Sequence, residues 1–255
     1  MTPIITIHDF KSTMRKTRLF IASKTLNTGL LVKITDNDFE YLAKVMRKKI
    51  GDEIFVFNGI NGEWKAEIIA IEKKNLTLKI VENIFEQMPQ SLVTLAFAPV
   101  KNVRIDFVAA KATEMGVGKF LPIITKHSVV DKINEERFAA NIKEACEQCE
   151  RNDLPQILPI KKLEKLLAEE QNGEKILILC DESHQGTKAC EILPKLARAN
   201  KEIIILIGPE GGFSQEEFVK MRAIKNLHSM SLGKRILRSD TAIIAALALV
   251  NEFAN

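Results

Sequence analysis

From residue 92 onward, four apolar runs, LVTLAFAPV, KFLPII, EKILILC and EIIILIG, alternate with stretches of helical periodicity. Runs this continuous cannot lie on a half-exposed sheet. They must be covered on both faces, and the intervening helices supply the cover, so this part of the chain reads as an α/β domain with a parallel sheet between helices. The first helix is expected at about residues 103–115, with Ile105, Val108, Ala109, Ala112 and Met115 on one face and Gly116 ending it. Others are expected at about 135–151, near 190–199, and from Ser214 and Arg238. In such sheets ligands bind beyond the carboxyl ends of the strands.

The first third is built differently. Short strand-like segments, TRLFIA, GLLVKI, EIFVFNG, EWKAEIIAIE and NLTLKIVE, follow one another with Gly51, Gly59 and Gly62 near the turns. One helix interrupts them at DNDFEYLAKVMRKK, with Asp36 or Asn37 as its N-cap and Phe39, Leu42, Ala43 and Met46 at helical spacing. A small β-barrel carrying one basic helix is the simplest architecture. EQMPQ, at residues 86–90, reads as a linker, giving domains at 14–86 and 90–255, with residues 1–13 as an extension before a second methionine, Met14. A length of 255 residues accommodates two domains of ordinary size.

The net charge of +4 permits a polyanionic partner without demanding one. Its distribution says more. Arg15, Lys16, Arg18 and Lys24 form one acid-free cluster, and Lys44, Arg47, Lys48 and Lys49 form another, both in the first third. No apolar run approaches the ~20 residues that span a bilayer, and the N-terminus lacks the layout of a secretory signal, so a cytoplasmic protein without a membrane role is expected. Cys146, Cys149, Cys180 and Cys190 are too few for a disulfide scaffold. The C-x-x-C of Cys146 and Cys149 has no second pair at zinc spacing and reads as half-buried thiols on a helix. His8, His127, His184 and His228 show no ligand spacing either, so no metal is expected and none of them is assigned a general-base role.

Chemistry concentrates in two segments. In IIILIGPEGGFSQEE a buried strand runs into Gly208-Pro209-Glu210-Gly211-Gly212 and then a helix, where Ser214 and Glu217 have the spacing of a capping box. Glycines at a strand tip let backbone approach a ligand closely, although a tight turn alone would also use them. The segment fits neither a Walker loop nor a dinucleotide fingerprint. In SLGKRILRSDTAIIAALALV, Arg235 and Arg238 precede an almost wholly apolar helix. Guanidinium groups beside a buried helix are costly unless they meet an anion, such as a phosphate or a developing charge on a substrate. Ser239, Asp240 and Thr241 at the helix start are explicable as caps. Lys101, Arg104, Lys111 and Glu114 on one helix, and Glu147, Gln148 and Arg151 on another, read first as solvated faces.

Taken in order, MRKTRLFI, KVMRKKIGD, KNVRIDFVAAKATEMGV, EACEQCERNDLP, LIGPEGGFSQEE and LGKRILRSDTA resemble the RsmE family of 16S ribosomal RNA (uracil-N3) methyltransferases, in the SPOUT superfamily. The resemblance runs from Met14 onward. It departs at Ser239-Asp240-Thr241-Ala242, where the family usually has Thr-Glu-Thr-Ala. It implies a PUA-like N-terminal barrel, an α/β domain closed by a trefoil knot, and a homodimer. It also implies S-adenosylmethionine as cofactor, held by Leu206, Ile207, Gly208, Pro209, Glu210, Gly211 and Gly212 on one loop, by Ser231, Leu232, Gly233, Ile236 and Leu237 on a second, and by Thr241 and Ala242 at the helix start. The substrate it implies is 16S rRNA of the small ribosomal subunit, methylated on N3 of a specific uridine. Removing the N3 proton spreads negative charge onto the flanking carbonyl oxygens, so Arg235 or Arg238 is expected to stabilise it. The proton would pass to Asp240 or Glu210, or to water. RNA contacts are expected from Arg15, Lys16, Arg18, Arg47, Lys48, Lys49, Lys101 and Arg151. A non-enzymatic RNA-binding protein would need the basic barrel but not GPEGG or the paired arginines, and a related methyltransferase acting on another base would need both.

Overall fold

Strand-like segments of the first third pair into one sheet. The computed structural model describes residues 16–100, 103–181, 186–197, 199 and 201–254, and the chain divides into two units, Met1–Met88 and Pro89–Asn255. In the first unit β1 (Arg18–Phe20), β2 (Leu31–Ile34), β3 (Glu53–Phe57), β4 (Glu63–Ile71) and β5 (Leu76–Phe85) lie in the order β1-β3-β4-β5-β2, antiparallel except where β1 runs alongside β3. Leu19 from one edge and Ile34 from the other belong to the same buried cluster, with Phe39, Leu42, Ile54, Val56, Ile68 and Leu78. A sheet whose two edges share one core is curled around it, as the PUA-like barrel requires. The turn from β3 to β4 is drawn tight by Asn58 Oδ1, which accepts from the amides of Ile60 and Asn61. Gly62 ends it at φ +80°, where a Cβ would stand 2.1 Å from the carbonyl oxygen of Phe85. Only glycine fits there.

The basic helix differs from its expected form. α1 (Asp36–Glu40) becomes a π-helical turn over Tyr41–Val45 and stops there. Thr35, not Asp36 or Asn37, is the N-cap residue, and no side chain caps the helix. Arg47 adopts φ +53°, which turns the chain away, and the Lys48 amide closes the end on the Leu42 carbonyl. Phe39 and Leu42 are buried, whereas Met46 is exposed, so the apolar face is one turn shorter than its sequence period suggests.

The second unit has β6 (Val93–Phe97), α2 (Val103–Glu114), β7 (Lys119–Ile124), α3 (Glu135–Gln148), β8 (Gln156–Ile157), β9 (Lys161–Lys162), α4 (Leu163–Glu169), β10 (Ile176–Cys180), β11 (Thr187–Lys188), α5 (Ala189–Ala197), β12 (Ile203–Ile207), α6 (Gln215–Arg222), β13 (Leu227–Ser231) and α7 (Ser239–Ala254). Its strands are all parallel, in the order β11-β13-β10-β12-β6-β7-β8, with β9 also on β7. Every residue of β6 and β12 is buried. Phe97, Phe120 and Phe138 pack ring against ring on the α3 side. Leu163, Leu166 and Leu167 of α4 join Leu206, Phe213 and Met221 in a second cluster. α7 packs on α2, α5 and β12, so the chain returns from the β13 side of the sheet to its centre.

Candidate functional site

Strands β13, β10 and β12 are neighbours, so three carboxyl ends open side by side. The tip of β10, the loops after β12 and β13 and the first turn of α7 line a cavity of about 190 Å³. It brings together Ile207, Gly208, Pro209 and Glu210 after β12, Leu232, Gly233, Arg235, Ile236, Leu237 and Arg238 after β13, and Ala242 of α7. Cys180, Asp181, Phe213, Phe218 and Ser239 complete the wall. Ser239 was legible in the sequence only as a helix cap, and Cys180 and Asp181 not as part of the site, because the adjacency of β10 to β12 is a property of strand order that no local pattern carries. Of the other sites expected, Leu206 lies inside β12 in the core, and Gly211, Gly212, Ser231, Asp240 and Thr241 stand beside the wall rather than in it.

The glycine loop is shaped by contact and by latching. A Cβ on Gly208 would stand 2.9 Å from the Phe213 ring, which is buried and packs edge-on against Phe218. Gly212 sits at φ +67°, and its amide closes a turn on the Pro209 carbonyl at 2.9 Å. The capping box forms: Ser214 accepts from the Glu217 amide at 3.3 Å, and Glu217 accepts from the Ser214 amide at 2.8 Å. The second oxygen of buried Glu217 accepts from the Lys126 amide at 2.8 Å. His127 has Nδ1 3.0 Å from the Gly211 carbonyl and 3.2 Å from that of Gly212. Both partners are acceptors, so Nδ1 carries the proton. The loop after β7 thus fastens the loop after β12, a role for His127 that its isolated position in the sequence concealed.

At the start of α7 the first helical bond runs from the Ala242 amide to the Arg238 carbonyl at 2.8 Å. Arg238 therefore occupies the N-cap position with its side chain exposed. Asp240 accepts from the Thr241 amide at 2.7 Å and its hydroxyl at 3.3 Å. Ser239 is different: its Oγ is buried and has no partner, so the capping explanation holds for Asp240 and not for Ser239.

Charge divides the cavity. Arg235, Arg238 and Glu210 are exposed, while Asp181 and Ser239 are buried. Burial pushes the Cys180 thiol up to about 12, so it is uncharged at neutral pH and offers no thiolate. Burial likewise lowers the His228 pKa on β13, keeping that ring neutral. No group of three or more His, Cys, Asp or Glu able to hold a metal ion occurs among the described residues, and no described helix is long and apolar enough to cross a membrane.

The basic residues expected to contact RNA separate into two kinds. Lys16 is exposed, with Nζ 4.9 Å from the Phe55 ring centre and 5.4 Å from that of Phe85. Arg47 and Lys49 are exposed after the π-helical turn, and Lys48 is half-buried beside them. Arg18, by contrast, is buried, with Nε 2.7 Å from Glu63 and its guanidinium 4.6 Å from the Phe57 ring centre. Arg151 grips both oxygens of Asp153 at 2.9 and 2.7 Å and donates to the carbonyls of Thr113 and Val117. Burial works against its charge, but Asp153 outweighs this and raises its pKa. It turns back because α3 ends at Gln148, earlier than expected, and Glu150 takes φ +63°. Arg18 and Arg151 are thus corrected from RNA contacts to ties within the fold. On α2, Lys111 pairs with Glu114 at 2.8 Å, the solvated-face reading. Arg15 and Lys101 lie outside the described residues.

Comparisons with known proteins agree with this arrangement. Family models of an RNA methyltransferase domain and of an RNA methyltransferase PUA domain match residues 86–251 and 34–81. Ribosomal RNA small subunit methyltransferase E of Rickettsia conorii is 32% identical over 237 residues, covering 93% of this chain and 96% of that one. The Bacillus subtilis protein of the same name is 28% identical, covering 86% and 88%. Among solved structures, ribosomal RNA small subunit methyltransferase E of Neisseria gonorrhoeae bound to S-adenosylmethionine superposes with a TM-score of 0.80 at 26% identity, covering 93% of this chain and 97% of that one. A Legionella pneumophila protein solved with the same cofactor gives 0.81 at 28% identity, covering 93% and 98%.

Proposed function

This chain belongs to the RsmE family of RNA methyltransferases, and from that premise we propose that it transfers a methyl group from S-adenosylmethionine to N3 of a specific uridine in 16S rRNA of the small ribosomal subunit. The observation that carries the reading is the cavity at the ends of β10, β12 and β13, which joins a glycine-lined strand tip, an apolar wall and two exposed arginines. The cavity suits the cofactor in kind: backbone at Gly208, apolar surface at Ile207, Leu232 and Leu237, and a buried hydroxyl in want of a partner at Ser239. Bound there, the cofactor supplies a methyl group already electrophilic on a sulfonium, so the work left to the protein is alignment and activation of the base.

Arg235 and Arg238 are proposed to face the base and stabilise the charge that spreads to its carbonyl oxygens as N3 loses its proton. Of the two carboxylates considered for that proton, Glu210 lines the cavity, whereas Asp240 stands beside it. Glu210 is therefore the better placed acceptor. Because N3 lies on the Watson–Crick edge, the uridine must be unpaired or turned out of its stack. Lys16, Arg47, Lys48 and Lys49 would hold neighbouring phosphates. The division into domains 14–86 and 90–255, the trefoil knot, the homodimer and a cytoplasmic location belong to the same proposal.

Methyl transfer from labelled cofactor to small subunits lacking the modification, followed by nucleoside analysis, tests it. Appearance of 3-methyluridine is the expected result, and a different methylated nucleoside overturns the assignment of the base. Reversing Lys48 and Lys49 to glutamate should weaken RNA binding and flatten its salt dependence by roughly two phosphate contacts, while cofactor affinity stays unchanged. An unaltered RNA affinity, measured by filter binding across a salt series, would remove these lysines from the interface.

A further inference from the structure

Buried hydroxyls seldom lack a partner, and those that do point to something missing. Ser239 is 7% exposed, its Oγ has no hydrogen bond, and it lines the cavity. Among the described residues the only other buried side-chain atom without a partner, Asn75 Oδ1, belongs to the β4–β5 turn of the first unit.

The hydroxyl has no structural duty. It stands on the first turn of a 16-residue helix, where a serine commonly caps a free amide, but here the Arg238 position begins the helix and Asp240 takes the Thr241 amide. Asp181, the other buried polar side chain of the wall, is already engaged within the protein.

Resting on the function proposed above, we infer that the Ser239 hydroxyl hydrogen-bonds the adenosine half of the bound cofactor. Its surroundings select that half. Ile207, Phe213 and Ala242 share the wall with it, and the first two are buried, an environment for a flat uncharged heterocycle rather than for an ammonium, a carboxylate or a sulfonium. The charged groups that could answer those, Glu210, Arg235 and Arg238, are exposed. A hydroxyl both donates and accepts, so it can serve a ring nitrogen or a ribose hydroxyl equally.

The test uses the full chain, with calorimetric affinities for S-adenosylmethionine, S-adenosylhomocysteine and 5′-methylthioadenosine, and thermal unfolding without ligand. Ser239→Ala should weaken all three ligands by about 5- to 30-fold, while the ligand-free melting temperature stays level or rises because an unmet hydroxyl has been removed. Ser239→Thr, which keeps the hydroxyl, should bind within a few-fold of the unchanged protein. Unaltered affinities with a lowered melting temperature would make Ser239 a helix cap and overturn the inference. Weakening confined to the two ligands that carry the amino-acid tail would overturn it as well, by moving the contact to that tail. Failure of the unchanged protein to bind any of the three would instead sink the functional proposal beneath it.

Discussion

Replacing Arg238 by alanine should lower methyl transfer by about 10²- to 10³-fold, the usual effect of removing one donor aimed at charge that develops in the transition state. The loss should fall on the single-turnover rate rather than on RNA retention, because the proposed phosphate contacts lie in the first unit. The fold should survive, since Arg238 contributes to α7 through its backbone carbonyl, which alanine keeps, and its side chain is exposed. Arg238→Lys should recover only part of the rate, as a point charge replaces a planar fork. Turnover by Arg238→Ala within a few-fold of normal would transfer the role to Arg235, and a double replacement would then show whether the pair acts as one unit.

What could be read in advance follows a physical line. β6, β10 and β12 are apolar on both faces, so their existence and their parallel setting followed from the need to cover them. Ser214 and Glu217 were legible as a capping box because the motif is local, its two members three positions apart. The segments missed were those with little local signal: β8, β9 and β11 are two residues each, and α4 presents Leu163, Leu166 and Leu167 over only two turns. The basic helix was over-extended because its end is fixed by the left-handed Arg47, a conformation no residue type announces unless it is glycine or asparagine.

The site was legible to a similar degree. The loops after β12 and β13 carried glycines and arginines visible in the sequence, but the third wall, Cys180 and Asp181 at the tip of β10, arrived only with the strand order. His127 bonds residues 84 and 85 positions away, and a lone histidine gives no hint of that. Charge was the least reliable guide. Lys16 and Arg18 are two residues apart in one cluster, yet Lys16 is exposed ahead of β1, whereas Arg18 is the first residue of β1 and is buried against Glu63.

The buried pairing of Arg18 with Glu63 yields the second large effect. Arg18→Ala should destabilise the first unit by roughly 3–5 kcal/mol, because it leaves the carboxylate of Glu63 buried without its counter-charge. Loss of the guanidinium over the Phe57 ring adds to the cost. Against a total stability of about 5–15 kcal/mol for an ordinary domain, this would leave the unit barely folded. Trp64, the only tryptophan of the chain, lies on β4 with its indole N–H donated to Asn61, so its fluorescence during urea unfolding reports on this unit alone. Replacing Arg18 and Glu63 together by methionine should restore most of the loss, since a buried ion pair exchanged for apolar side chains of similar volume is often neutral or better. An RNA contact predicts the reverse order of effects. If the urea midpoint of Arg18→Ala is unchanged while RNA affinity falls, Arg18 belongs with Lys16 and Lys49 at the nucleic-acid surface, and the pairing with Glu63 contributes little to holding the sheet together.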